Sequence, residues 1–101
     1  MKTNFVFEYS APEELDKKKP AIFLFHGYGS DERDLLSLVE DFKETYHIFS
    51  LRGPFTIFPG YAFWNFEENG QPVRAEFYEV LKSAQVFINK AIEEYNLDTK
   101  N

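Results

Sequence analysis

Cysteine is absent from this sequence of 101 residues, and histidine occurs only twice. Without cysteine there is no disulfide framework and no thiolate zinc site, and two histidines give little basis for a metal site of another kind. We therefore expect no metal and no cofactor. The lack of disulfides also fits a reducing compartment, so the cytoplasm is the expected location.

Long apolar runs are missing as well, and so is an excess of positive charge. The first ten residues contain no apolar stretch of signal-peptide length, and no segment approaches the roughly 20 apolar residues that a membrane-spanning helix needs. The formal net charge is −6, from 17 acidic and 11 basic side chains. Because nucleic-acid binding depends on lysine and arginine at the phosphate backbone, this balance argues against a nucleic-acid partner.

The sequence is rich in apolar residues, with 44% hydrophobic and 19% aromatic, which is enough for one globular domain over residues 1–101. Residues 4–9 alternate, with Phe5, Phe7 and Tyr9 on one face, a pattern typical of a half-exposed antiparallel strand at a sheet edge. Residues 21–25 form an apolar run between Pro20 and Gly27. Such a run indicates a parallel strand that is covered on both faces, at the centre of the sheet.

Helical periodicity occurs in two places. From Ser30 onward, one apolar stripe predicts a helix capped by Ser30 or Asp31. A second predicted helix begins at about residue 74 and ends near Asn96. The first stripe consists of Leu35, Val39, Phe42 and Tyr46, and the second of Phe77, Leu81, Ala84, Ile88, Ala91 or Ile92, and Tyr95.

Between the two predicted helices, residues 48–51 indicate a short buried strand and residues 55–73 a long aromatic loop. This order of elements predicts an α/β fold with about three strands in a mostly parallel sheet. In an open parallel sheet, ligands bind at the carboxyl ends of the strands. Here those ends are the turns that follow Phe25 and Leu51.

The turn after Phe25 has the sequence His-Gly-Tyr-Gly-Ser, residues 26–30. Glycines at alternate positions let the backbone bend sharply and approach a ligand, while the N–H groups of the predicted helix point toward the same space. This arrangement suits an anion or a developing oxyanion. The spacing alone leaves open a tight turn between strand and helix with no further role.

Three blocks of residues, taken in order, resemble the phospholipase/carboxylesterase branch of the α/β-hydrolases, which includes the acyl-protein thioesterases. Residues 22–31 resemble the His-Gly-x-Gly turn of that family, and residues 50–54 resemble a strand end with its Arg-x-Pro turn. Residues 61–66 resemble the aromatic segment that borders the family's substrate cleft. The resemblance implies a three-layer α/β-hydrolase fold and a serine hydrolase that acts on carboxylic esters or thioesters.

The resemblance also implies roles for single residues. The backbone N–H of Tyr28 would bind the tetrahedral oxyanion, and His26 would hold the turn by hydrogen bonding rather than act as a base. The aromatic segment would form an apolar wall for the substrate, although the residues themselves equally allow a lid folded onto the core. His47 is expected at the surface. The implied substrate-binding residues are Gly27, Gly29, Phe63, Trp64 and Phe66.

The catalytic serine of the family has no counterpart in this sequence. It belongs to a Gly-x-Ser-x-Gly turn between a strand and a helix, and none of the five serines has that setting. The acid and the histidine that follow the serine in chain order would be missing too. We therefore expect the N-terminal part of the fold, truncated before the nucleophile strand, with the apolar edge of residues 21–25 left unpaired.

The expected partners follow from this interpretation. They are a small-molecule ester if the domain is completed, and either the remainder of the hydrolase domain or a second copy of the chain at the exposed edge. The alternative function is a noncatalytic binding or assembly module derived from the family.

Overall fold

Five β-strands and one long α-helix form the regular structure of residues 1–99, the part of the chain that the computed structural model describes. The strands are β1 (Phe7–Ser10), β2 (Ala21–Phe25), β3 (His47–Leu51), β4 (Phe55–Ile57) and β5 (Gly60–Ala62). The helix α1 spans Arg74–Glu94, and a 3₁₀ helix spans Leu36–Phe42. The predicted α/β composition is therefore confirmed.

The main sheet has three strands in the order β1-β3-β2. β1 is antiparallel to β3, and β2 is parallel to β3, with Ala21 opposite His47 and Phe25 opposite Leu51. The sheet of residues 1–99 is thus mixed rather than mostly parallel, because only β2 and β3 are joined by a crossover. It also has β3 at its centre instead of residues 21–25, since no described strand pairs with the other edge of β2.

The core lies between the sheet and α1. Every residue of β3 is buried, as the sequence predicted for residues 48–51. Phe49 is packed between the rings of Phe23, at 5.0 Å between centroids, and Phe87 of α1, at 5.9 Å. On the opposite face of β3, the Ser50 hydroxyl donates a hydrogen bond of 2.6 Å to the carbonyl of Glu32. Alternation along the strand therefore assigns one face to α1 and the other to the segment after β2.

The helix α1 begins and ends where the sequence predicted. Its C-terminal end is marked by Asn96, whose positive φ of 52° takes the chain out of the helix. The buried residues are Val80, Ala84, Phe87 and Ala91, so the predicted apolar stripe is only partly the buried one. Of that stripe, Phe77 and Leu81 are exposed. No helix within residues 1–99 has the length and apolar character required to cross a bilayer.

The predicted helix after Ser30 is wrong. Residues 31–46 form turns and the 3₁₀ helix Leu36–Phe42, which has no buried residue and no side-chain cap. The side chain of Asp31 instead accepts a hydrogen bond from the backbone of Arg33 at 2.9 Å. The physical reason is that an amphipathic helix is stabilised mainly by burial of its apolar face. Here that face finds no surface that buries it.

Two further predictions, on the aromatic loop and on His47, are corrected by the structure. The aromatic loop contains a hairpin, because β4 and β5 pair antiparallel with Phe55 opposite Ala62. His47 is buried rather than exposed, and its Nδ1 atom is hydrogen-bonded to the Tyr9 hydroxyl at 2.8 Å. Burial lowers the pKa of the His47 imidazole below its ordinary value, which favours the neutral ring.

Phe87 is the side chain of α1 that joins most of the core, and replacing Phe87 with alanine should lower the free energy of unfolding by about 3 to 5 kcal/mol. It contacts Phe5, Phe7, Phe23 and Phe49, so the cavity left behind would be lined by four rings. Urea unfolding followed by circular dichroism measures the change. The matched control is Val86→Ala on the exposed side of the helix, which should stay within about 0.5 kcal/mol of the wild type. Equal losses for the two variants would contradict the assigned core.

Candidate functional site

The candidate site lies where β2 and β3 end side by side. Because these strands are parallel, the turn of residues 26–30 and the turn of residues 52–54 emerge at the same edge of the sheet. This edge is where ligands bind in open α/β sheets. The hairpin of β4 and β5 then returns the aromatic segment to the same place, since Ser30 forms an isolated antiparallel bridge with Tyr61.

His26 joins the two turns. It is buried, and its Nε2 atom accepts a hydrogen bond of 2.9 Å from the backbone N–H of Gly53. The acceptor role leaves the ring proton on Nδ1, which lies 2.8 Å from the carbonyl oxygen of Gly27 and therefore donates to it. Both ring nitrogens are engaged with backbone, so this histidine has no free lone pair for proton abstraction.

Gly29 fixes the other end of the turn. Its φ of +82° is a conformation that other L-residues rarely adopt, and its N–H donates to the carbonyl of Tyr61 at 2.8 Å. The N–H of Tyr61 donates in return to the carbonyl of Ser30, also at 2.8 Å. Close packing accompanies these bonds, because a Cβ atom on Gly60 would overlap the carbonyl oxygen of Gly29. The hairpin is thus bonded directly to the turn.

Tyr28 lies between these two attachments. Its backbone N–H has no acceptor among residues 1–99, unlike the N–H groups of Gly29 and Ser30. Its side chain is 42% exposed and contacts the rings of Trp64 and Phe66, at 5.7 and 5.0 Å between centroids. A free amide donor is therefore presented next to an exposed aromatic surface.

The three aromatic residues 63, 64 and 66 do not have equivalent positions. Trp64 and Phe66 are in edge contact at 6.2 Å and, together with Tyr28, form the exposed aromatic surface. Phe63 is only 5% exposed and packs against the ring of His26 at 4.9 Å. Phe63 thus lies beneath the turn and supports it, while Phe66 is exposed and Trp64 is partly buried against the core.

An ion pair that sequence reasoning missed joins the partly exposed Arg52 of the second turn to the buried Glu32, two residues after the first turn. Arg52 donates two hydrogen bonds to the Glu32 carboxylate, at 2.9 and 2.7 Å, and its guanidinium lies 4.4 Å from the centre of the Tyr61 ring. The hydrogen bonds from Arg52 lower the pKa of the Glu32 carboxyl to about 2. The signal in the sequence was an arginine directly after a buried strand, a position that calls for a nearby carboxylate.

Within the described residues no cluster of three or more histidine, aspartate or glutamate side chains is arranged to hold a metal ion. The groups that the turn presents are the Tyr28 backbone amide and aromatic side chains. These can orient and stabilise negative charge on oxygen, and they can bind an apolar group beside it. They supply no nucleophile.

No protein-family model matches the sequence, and no curated protein sequence matches it significantly. Solved structures do match. A carboxylesterase from Bacillus cereus superposes with a TM-score of 0.79 at 24% identity, covering 97% of this chain and 45% of its own. A carboxylesterase from Mesorhizobium loti gives a TM-score of 0.79 at 19% identity, covering 97% and 46%. The chain has an α/β-hydrolase fold.

A third solved structure also has a fold similar to that of this chain. It is a protein of unknown function from Agrobacterium tumefaciens, with a TM-score of 0.80 at 18% identity, covering 92% of this chain and 44% of its own. In each of these matches, the chain spans less than half the length of the related structure.

The Glu32–Arg52 pair makes the free energy of unfolding depend on pH. Because the folded-state pKa of Glu32 lies below its ordinary value of 4.5, the stabilisation is complete above pH 4.5 and is lost as the pH falls toward about 2. Replacing Glu32 with glutamine should lower the free energy of unfolding at pH 6 by about 2 to 3 kcal/mol and should flatten its decline between pH 4.5 and 2. Chemical unfolding at several pH values measures both. The exposed Glu68→Gln variant is the control and should follow the wild type.

The glycines of the site permit a second matched comparison. Gly60→Ala should destabilise the protein by about 1 to 3 kcal/mol, because the added Cβ atom would push the hairpin away from the Gly29 carbonyl. Gly27→Ala should cost less than 1 kcal/mol or so, because a Cβ atom there meets nothing within 4 Å. Thermal unfolding compares the two variants. A larger loss for Gly27→Ala would contradict the described docking of the hairpin.

Proposed function

We propose that this chain supplies one half of the oxyanion hole and the apolar cleft wall of a serine carboxylesterase that acts on carboxylic esters or thioesters. The observation that carries the proposal is the Tyr28 N–H, a donor without an acceptor in residues 1–99, in a turn held on both sides. The carboxylesterase structures that match the fold support the reaction class.

The chemistry follows from where charge develops in acyl transfer. A serine oxygen attacks the carbonyl carbon of the ester, and the carbonyl oxygen becomes an oxyanion in the tetrahedral intermediate. A backbone N–H that already points to this oxygen stabilises the intermediate without reorganisation, and one such donor contributes about 3 to 4 kcal/mol. In α/β-hydrolases a further donor comes from the residue after the nucleophile.

The surroundings of Tyr28 provide the rigidity that such a donor requires. His26 ties the start of the turn to Gly53, and Tyr61 ties its end at Gly29 and Ser30. The first anchor is a bond from the Gly53 N–H to the His26 ring, and the others are backbone bonds of Tyr61, so the position of the Tyr28 amide does not depend on the Tyr28 hydroxyl.

Substrate binding is assigned to the groups around the amide. Gly27 leaves open space where a side chain would otherwise stand, and Gly29 provides the bend of the turn. Trp64 and Phe66 would contact the acyl chain or an aromatic leaving group, with Phe63 beneath them. The nucleophile, the acid and the catalytic histidine would come from the polypeptide that completes the domain. A cytoplasmic location and the absence of a cofactor belong to the same proposal.

A chimera tests the proposal. Residues 1–99 replace the structurally equivalent part of the Bacillus cereus carboxylesterase, and hydrolysis of p-nitrophenyl butyrate is followed. In this chimera Tyr28→Pro removes the amide hydrogen and should lower kcat by about 100- to 1,000-fold. Tyr28→Phe keeps the hydrogen and the ring, so its kcat should match that of the parent chimera.

Thermal unfolding of both variants separates a catalytic loss from a folding loss. A folded chimera without activity, or a folded Tyr28→Pro variant with full kcat, would overturn the proposal. The chain of 101 residues by itself should not hydrolyse the ester above the buffer rate, because it has no serine in the setting of a nucleophile.

A further inference from the structure

A groove, here called the N-terminal groove, runs between residues 1–5 and the helix α1. It consists of two adjoining recesses, which share Asn4, Phe5 and Ser83 as lining residues. The buried rings of Phe5 and Phe87 lie at its floor, 5.9 Å apart between centroids. The groove is separate from the candidate site, because no residue of the glycine turn lines either recess.

The first recess is bordered by positive charge. It has a volume of about 690 Å³, and its described lining residues include Lys2, Lys82 and Lys90 but no aspartate or glutamate. Lys82 lies 3.7 Å from Glu79, but the two side chains are 77% and 75% exposed, so this pair neutralises little charge. Within residues 1–99, Lys2 and Lys90 form no ion pair, and the Lys90 ammonium donates only to the Lys2 carbonyl at 3.0 Å. This recess therefore attracts an anion.

The second recess is mainly apolar. It has a volume of about 270 Å³, and Pro54, Phe55 and the buried Val80 line it together with the ring of Phe5. The carboxylates at its border, Glu76 and Glu79, are of the opposite sign to the lysines of the first recess. An anionic group would be repelled from this end of the groove and attracted to the other end. An apolar group fits the second recess.

The side chain of Val86 connects the two ends. It is 53% exposed, lines the first recess, and lies one helical turn from both Lys82 and Lys90. From Val80 to Lys90 the helix rises about 15 Å. The apolar end and the far basic end are therefore separated by the length of an extended chain, with Val86 and Phe5 as apolar surface between them.

From these observations we infer that the N-terminal groove binds a medium-chain fatty acid as its carboxylate. The carboxylate lies beside Lys2, Lys82 and Lys90, and the hydrocarbon chain extends into the recess of Phe55 and Val80. Burial of the chain supplies affinity, and the opposite charges of the two ends fix its direction. The groove is concave and lies between two segments of the chain, so it admits a single hydrocarbon chain rather than the surface of a bilayer. This inference does not rest on the proposed function.

The test is an NMR titration of the full chain with sodium octanoate. The amides of Phe5, Phe55 and Ser83 should shift to saturation, whereas the amide of Tyr28 should not. Intermolecular Overhauser contacts should join the terminal methyl group of octanoate to Val80. Octanol, which has the chain without the charge, should bind about fivefold more weakly or worse. Acetate, which has the charge without the chain, should cause no saturable shifts.

Two tryptophan substitutions on α1 form a matched pair. Ser83→Trp fills the place where the two recesses join and should lower the octanoate affinity by about tenfold or more. Gln85→Trp adds the same side chain at an exposed position that lines neither recess, so its affinity should equal that of the wild type. Thermal unfolding of both variants shows that they are folded.

A charge-neutralising pair tests the lysines without filling the groove. The double variant Lys2→Gln, Lys90→Gln should bind octanoate about five- to tenfold more weakly and should bind octanol as the wild type does. The control, Lys17→Gln with Lys18→Gln, removes the same charge from two exposed residues outside the groove. It should leave both affinities unchanged.

Four outcomes would overturn the inference. They are octanoate shifts confined to Tyr28 and Trp64, equal affinities for octanoate and octanol, full octanoate affinity in Ser83→Trp, and binding to phosphatidylserine vesicles without binding to octanoate. The last of these would assign the lysines to a lipid surface instead. None of the measurements involves ester hydrolysis, so failure here is distinguishable from failure of the proposed function.

Discussion

The hydrogen bond from the Gly53 N–H to His26 is the contact on which the shape of the candidate site depends. It joins the ends of two parallel strands through a buried ring whose other nitrogen holds the following carbonyl. The backbone segments around this hydrogen bond are closely packed. A side chain at Gly53 would overlap Ala62, and β5 in turn packs at Gly60 against Gly29. The turn is consequently held at both ends, and a side chain in place of Gly53 or Gly60 would disrupt the packing around it.

The sequence predicted those parts of the fold whose pattern is local. The buried run of β3, the extent of α1 and the glycine turn each follow from residues that are neighbours in the chain. The hairpin β4–β5 was missed because its position depends on Gly29 and Ser30, some thirty residues earlier. The predicted helix after Ser30 failed for a related reason. Periodicity shows that a face is apolar, but burial of that face depends on a surface supplied elsewhere.

The candidate site was likewise predicted only where its pattern is local. The turn of residues 26–30 and the aromatic segment were found from their residue types, since glycine, histidine and clustered aromatics have few other uses in such positions. The Glu32–Arg52 pair, which joins the second turn to the segment after the first, was not found, because an acidic residue near a predicted helix start has an ordinary explanation in the helix dipole. Phe63 and Trp64, adjacent in sequence, were assigned one role, yet alternation along the extended chain turns them in opposite directions.

The apolar face of α1 that the sequence predicts is wider than the face that residues 1–99 bury. Its predicted stripe includes Leu81 and Ile88, while the residues buried by the three strands are Val80, Ala84, Phe87 and Ala91. Both sets lie on one broad apolar arc, of which the three-stranded sheet covers only the flank nearer to β1. At one end of the uncovered flank, Ile92 borders a recess that it shares with Ala21 and Phe23 of β2. The apolar face of α1 and the edge strand β2 are separate features of the sequence. Their presence on the same side of the molecule is what a wider sheet beneath α1 would require.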